Sequence, residues 1–286
     1  MLDRLSSINM AEDLSRENEL DNPTILQPEL YADFNFFSGS TPPVIFIHDG
    51  GGTVFPYFCL GRLHRFAYGI ANPNFTTGES FAGGLAEMGR LYAGWVQDLV
   101  LKDDFPAKMK SRDSIDILLA GWSLGGLLSL EVARILDADV RINIIGIVMI
   151  DSIYPSKTPP GNSIWSPTEP KSKNDFLSKR SMAVARQMLV TWSIPIWGND
   201  AIRRRPDVVL IRARDAVKME KNDTVHRVDG HRGDRILGWG EYDPNLFKNV
   251  LDLDGQHFDL FDEERIKGTT AAIRKALMMF PASDPL

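Results

Sequence analysis

The 286-residue chain has a single cysteine, Cys59, so no internal disulfide can form and a folded state must rest on an ordinary apolar core. No window approaches the roughly 18 apolar residues that a membrane span requires. Positive charge is not in excess: 32 Lys and Arg stand against 38 Asp and Glu, giving a net charge of −6. That balance argues against binding to a nucleic-acid backbone or an acidic membrane surface. The N-terminus, MLDRLSSINMAEDLSRENELDN, lacks an apolar centre and does not read as a secretory signal. Repeats and low-complexity tracts are missing as well. These absences lead us to expect a cytoplasmic protein with neither nucleic-acid nor membrane partners.

Hydrophobic residues make up 43% of the chain and charged residues 24%, ordinary values for a globular protein. Residues 1–24 read as an N-terminal arm, a loose helix or disorder. The rest, 25–286, reads as one domain. Four apolar runs, 44–47 (VIFI), 115–120 (IDILLA), 144–150 (IIGIVMI) and 208–211 (VVLI), and a weaker one at 249–253 (NVLDL), fit strands buried on both faces of a parallel sheet. Helical periodicity lies between and after them, at 85–101, 124–136 and 263–279. Alternation of this kind predicts an α/β fold, a mostly parallel central sheet flanked by helices. A long insertion at about 155–197 breaks the alternation. It opens on a Pro- and Ser-rich stretch and continues as an amphipathic helix over 174–192, with Phe176, Leu177, Val184, Met188, Leu189 and Trp192 as its apolar set. An insertion of that length between core strands, carrying adaptable apolar side chains, is read as a lid.

The sequence GWSLGG at 121–126 falls between an expected strand and an expected helix. This is the context in which G-x-S-x-G forms a nucleophile elbow, a sharp turn that lifts the serine oxygen above the sheet. Ser123 is therefore the candidate nucleophile. Among five histidines, only His257 has the late loop position, after the last strand, that lets a base reach such a serine. A carboxylate must orient His257. Asp151 ends the third run and Asp215 follows the fourth, and both remain candidates; Asp151 follows an apolar strand directly and so has the greater need of a buried partner. An oxyanion requires two backbone N–H groups near the serine. Leu124, after the nucleophile, offers one, and Gly50 or Gly51 in the loop HDGGGT at 48–53 offers the other. No cofactor or metal is expected: His226, Asp229, His231 and Asp234 lack a diagnostic ligand spacing. Cys59 reads as a core filler. Arg203, Arg204 and Arg205 read as a solvated face.

These segments together resemble the thioesterases of polyketide and non-ribosomal peptide synthesis, the fungal ones especially. GWSLGG at 121–126 is similar to that family's nucleophile motif, IIGIVMIDSIYP at 144–155 to the segment ending in its aspartate, VIFIHDGGGTVFPYFCLGRL at 44–63 to its oxyanion loop, and GQHFDLF at 255–261 to its histidine loop. The resemblance implies an α/β-hydrolase fold, the acid at Asp151 with Asp215 as alternative, and release of an acyl chain from a thioester. It implies as partner an acyl carrier protein or synthase presenting a phosphopantetheine thioester. The chain itself has no room for a carrier domain and is expected either to act in trans or to be an excised domain of a longer synthase. Release could proceed by hydrolysis or by cyclisation. Rival readings are a carboxylesterase or lipase acting on oxoesters, an acyltransferase, and a non-catalytic binding protein of the same fold.

Overall fold

Strands form where side chains on both faces of the backbone can be buried, and the apolar runs do so here. In the computed structural model, which describes residues 21–28, 41–107, 114–156, 163–164, 169–197, 205–219 and 225–280, the strands are β1 (Thr24–Gln27), β2 (Val44–Ile47), β3 (Ala67–Ile70), β4 (Ile115–Trp122), β5 (Ile142–Ile150), β6 (Ser163–Ile164), β7 (Asp207–Ala213), β8 (Val225–His226) and β9 (Phe247–Leu253). The main sheet has the order β1-β3-β2-β4-β5-β7-β9, and β6 pairs with β8 separately. All pairings are parallel except β1 with β3.

Alternating side chains feed two cores. Ile45, Ile47, Ile117, Leu119, Ile147 and Met149 face one layer, and Val44, Phe46, Leu118, Ala120, Val148 and Ile150 face the other. This is the period of two expected of strands covered on both sides. The helices are α1 (Phe55–Phe58), α2 (Gly84–Val100), α3 (Leu124–Leu136), α4 (Lys173–Thr191) and α5 (Ile266–Leu277). Helices α2 and α3 cover the first face, while α1 and α5 contribute to the second. Such a three-layer, mostly parallel arrangement is that of an α/β-hydrolase.

The sequence expectation missed β1 and β3. It placed α2, α3 and α4 within one residue of their observed bounds. Two expectations need correction. Cys59 is exposed rather than a core filler, because it sits just past the single turn of α1 and turns away from the sheet. Phe176 is half exposed: α4 instead buries Leu177, Ser181, Ala185 and Met188. Of the expected arm, 1–20 lie outside the described residues, and Thr24 already belongs to β1. Arg203 and Arg204 also lie outside them, while Arg205 pairs with Asp243 at 2.7 Å. Among the described residues no helix is long and apolar enough to cross a membrane.

Candidate active site

The carboxyl ends of β2, β4 and β5 and the loop after β9 converge on one cleft. Strand β4 runs straight into α3 through Ser123, whose backbone is held at φ 54° and ψ −115°. That left-handed conformation is strained for a residue with a side chain, and such strain recurs at functional turns. It survives because its surroundings leave no alternative. The Ser123 N–H donates to Ile150 O at 2.8 Å. A Cβ on Gly121 would lie 2.2 Å from the backbone carbon of Gly125, and one on Gly125 would lie 2.3 Å from Ile47 O. Only glycine fits at either position.

Tyr57, which the sequence did not single out, braces this turn, and Tyr92 of α2 braces the loop after β2. The Tyr57 hydroxyl donates to Ile47 O at 2.8 Å and accepts the Trp122 N–H at 2.9 Å, tying β2 to the nucleophile strand. His48 is buried between the Tyr92 hydroxyl, 2.7 Å from Nε2, and Asp49 O, 2.6 Å from Nδ1. Burial holds its pKa down at about 4, so it stays neutral.

Asp151 stands at the end of β5, fully buried, with its own φ at 45° and its N–H donating to Ile211 O at 2.7 Å. His257 Nδ1 lies 2.8 Å from Asp151 Oδ2. Burial alone would raise the Asp151 pKa; hydrogen bonds from Arg232 and His257 outweigh it and hold the carboxyl at about 2. Asp215, the other candidate acid, is exposed; its carboxylate accepts the Gly255 N–H at 3.2 Å and makes no contact with the His257 ring. The neighbouring arginines pair elsewhere, Arg212 with Asp252 and Arg214 with Asp254. The His257 ring packs against Trp122 and Phe258. Ser123 and His257 line the same cleft, although among the described residues Oγ and Nε2 are not hydrogen-bonded to each other.

The cleft encloses roughly 1130 Å³, its open mouth included. One wall carries Gly50, Ser123, Leu124 and His257; the opposite wall comes from α4, with Met182, Ala185, Leu189 and Val190. Gly50 lines the cleft and Gly51 does not; a side chain at Gly51 would meet the Asp49 carboxylate, its Cβ 3.1 Å from Oδ1. Burial pushes that carboxyl up to about 6, against the pull of the Gly51 N–H and of the His257 charge. The segment 226–231 supplies His226, Arg227, Val228 and His231 to the rim. Sequence reasoning weighed part of this stretch as metal ligands. Asp229 in fact pairs with Arg232 at 2.9 Å and accepts the Val217 N–H at 2.7 Å. Among the described residues no group of three or more His, Cys, Asp or Glu is placed to hold a metal ion.

No family model matches the chain. Among curated proteins, the probable thioesterase BOA10 of Botryotinia fuckeliana is 32% identical over 268 residues, spanning 90% of each chain. The non-ribosomal peptide synthetase imqB of Aspergillus flavus is 28% identical over 293 residues, which cover 88% of this chain and 8% of the synthetase. Among solved structures, the NocB thioesterase domain from the nocardicin cluster superposes with a TM-score of 0.58 at 24% identity, over 84% of this chain and 95% of that domain.

Proposed function

The chain belongs to the thioesterases of fungal biosynthetic clusters, and from that premise we propose that it releases a carrier-bound acyl chain through an acyl-enzyme on Ser123. The reading rests above all on one observation: a strained serine between β4 and α3 shares a cleft with a histidine whose far nitrogen is held by a buried carboxylate. Ser123 Oγ attacks the thioester carbonyl and passes its proton to His257 Nε2. The ring swing or substrate closure that brings Oγ and Nε2 into contact accompanies binding, as apo sites often require. Asp151 keeps the Nδ1 proton in place and stabilises the imidazolium.

The tetrahedral oxyanion is held by the N–H groups of Leu124 and Gly50, at the positive end of α3. Gly50 is preferred to Gly51 because it lines the cleft and Gly51 does not. Collapse breaks the carbon–sulfur bond, and the thiol departs with the proton from His257. Water, deprotonated by the same ring, then attacks the acyl-serine and frees the acid. An internal hydroxyl or amine of the acyl chain would give a ring instead. Helix α4 acts as a lid whose apolar face shelters the acyl chain and governs access of water. The donor is a carrier protein or synthetase presenting a pantetheine thioester; the synthetase relative, of which this chain matches only 8%, supports such a pairing.

The test uses matched acyl-pantetheine thioesters and p-nitrophenyl oxoesters with wild type and Ser123→Ala. The proposal expects a higher kcat/KM on the thioester and no turnover by Ser123→Ala. A preference for the oxoester would replace it with a general esterase.

A further inference from the structure

We propose that Arg232 is a positioning residue for this reaction, one that fixes the Asp151 carboxylate beneath His257 and so sets the orientation of the imidazole. Arg232 is buried and all of its N–H donors find acceptors. Nη1 donates to Asp151 Oδ1 at 2.6 Å and to Ala213 O at 2.8 Å. Nη2 donates to Asp151 Oδ2 at 2.8 Å and to Val228 O at 3.3 Å. Nε donates to Asp229 Oδ1 at 2.9 Å. This saturates a guanidinium, which has five N–H donors in a fixed fork. The fork grips both oxygens of Asp151 in one plane, and Oδ2 is shared with His257 Nδ1. The orientation of the imidazole is therefore set through the arginine as well as through the aspartate.

The charges follow the same geometry. Arg232 and His257 meet the same carboxylate, so a positive guanidinium stands within a few ångströms of the ring that must become positive. The other charged or titratable groups facing His257 are Asp49 from the loop after β2 and His226 from β8. Both remain in every variant considered below. Arg232 also ends the segment whose residues His226, Arg227, Val228 and His231 line the cleft. The same clamp thus joins the substrate wall to the acid of the triad.

The proposal rests on the serine reading above, and its test separates the two. Removing Arg232 alone would strand two buried carboxylates, so the paired variant Arg232→Met/Asp229→Asn is used, with Arg232→Lys beside it. Each is followed by circular dichroism, by fluorophosphonate labelling mapped to Ser123, and by kcat and KM for an acyl-pantetheine thioester from pH 4.5 to pH 9. The paired variant is expected to lose about tenfold or more in kcat with KM little changed, because the carboxylate that orients the imidazole is no longer clamped. Lysine keeps the charge but loses the fork, so Arg232→Lys is likewise expected to lower kcat about tenfold or more with KM little changed. If the paired variant fails to fold, Arg232→Lys decides alone: a wild-type kcat overturns the proposal. A folded paired variant with the wild-type kcat also overturns it. A wild type that is not labelled at Ser123 would instead sink the serine reading.

Discussion

Replacing Asp151 with Asn tests the triad at its most constrained atom. The carboxylate accepts the Ala213 N–H and two Arg232 donors, and lies 2.8 Å from His257 Nδ1. An asparagine has one acceptor oxygen and one donor group to fill the same places. With the oxygen toward Ala213, the amide NH₂ faces both Arg232 Nη2 and His257 Nδ1. Donor then meets donor at the arginine, and the imidazole must present a bare Nδ1. The remaining proton moves to Nε2, the nitrogen that has to accept from Ser123. In serine hydrolases the corresponding change leaves the wrong tautomer and costs ~10⁴ in kcat, and we expect a loss of that order here. Stability falls too, since breaking a buried ion pair by removing one partner costs about 3–5 kcal/mol. The surviving Arg232–Asp229 pair puts the effect at the lower end. For a chain of this size that is roughly 5 °C in Tm. Thioester turnover and thermal melting in the same buffer measure both. Turnover within tenfold of wild type would refute the assignment of Asp151 as the orienting acid, and an unchanged Tm would refute the weight given to the buried pair.

Three other outcomes are expected. Gly125→Ala forces a Cβ to 2.3 Å from Ile47 O and 2.8 Å from His48 O, both backbone; neither can yield, so a loss of at least ~2–3 kcal/mol and of the serine-probe labelling should appear in melting and labelling assays. For Asp49, the folded pKa of about 6 lies above the ordinary 3.8, so its contribution to stability is present below the ordinary value and is lost as pH rises through about 6. Asp49→Asn should therefore be more stable than wild type at pH 8, by about 1–3 kcal/mol, and no more stable at pH 4; denaturant titration at the two values checks the sign. Leu189→Ala, on the α4 wall of the cleft, should raise KM for a long-chain acyl thioester severalfold while changing that for an acetyl thioester little, since the short chain does not reach the lost methyl groups.

Much of the scaffold could be read from the chain because burial on two faces demands unbroken apolar runs, and β2, β4, β5 and β7 carry them. Strands β1 and β3 were not legible. Thr24–Gln27 forms an edge that is only partly buried, and Ala67–Ile70 contains Gly69, which weakens any strand signal. The serine elbow was legible because its glycines are required by local contacts. The acid was not, on residues alone: both strand ends offered an aspartate, and only the pairing of β5 with β7 and the placement of the last loop bring Asp151, not Asp215, to the imidazole. Arg232 lay hidden in a polar stretch. Its signal was an acid three residues earlier and the need for a countercharge at an aspartate that ends an apolar strand. Which of Gly50 and Gly51 lines the cleft depended on the course of the loop after β2, which no local residue pattern fixes.

The central claim is an acyl chain on Ser123, and the most direct measurement is the intact mass of the protein quenched during turnover of an acyl-pantetheine thioester, followed by peptide mapping. The account predicts a mass increase equal to the acyl group, carried by the peptide containing Ser123 and absent from Ser123→Ala. Thioester consumption by a Ser123→Ala protein at the wild-type rate, or an adduct mapped to any other residue, would contradict it.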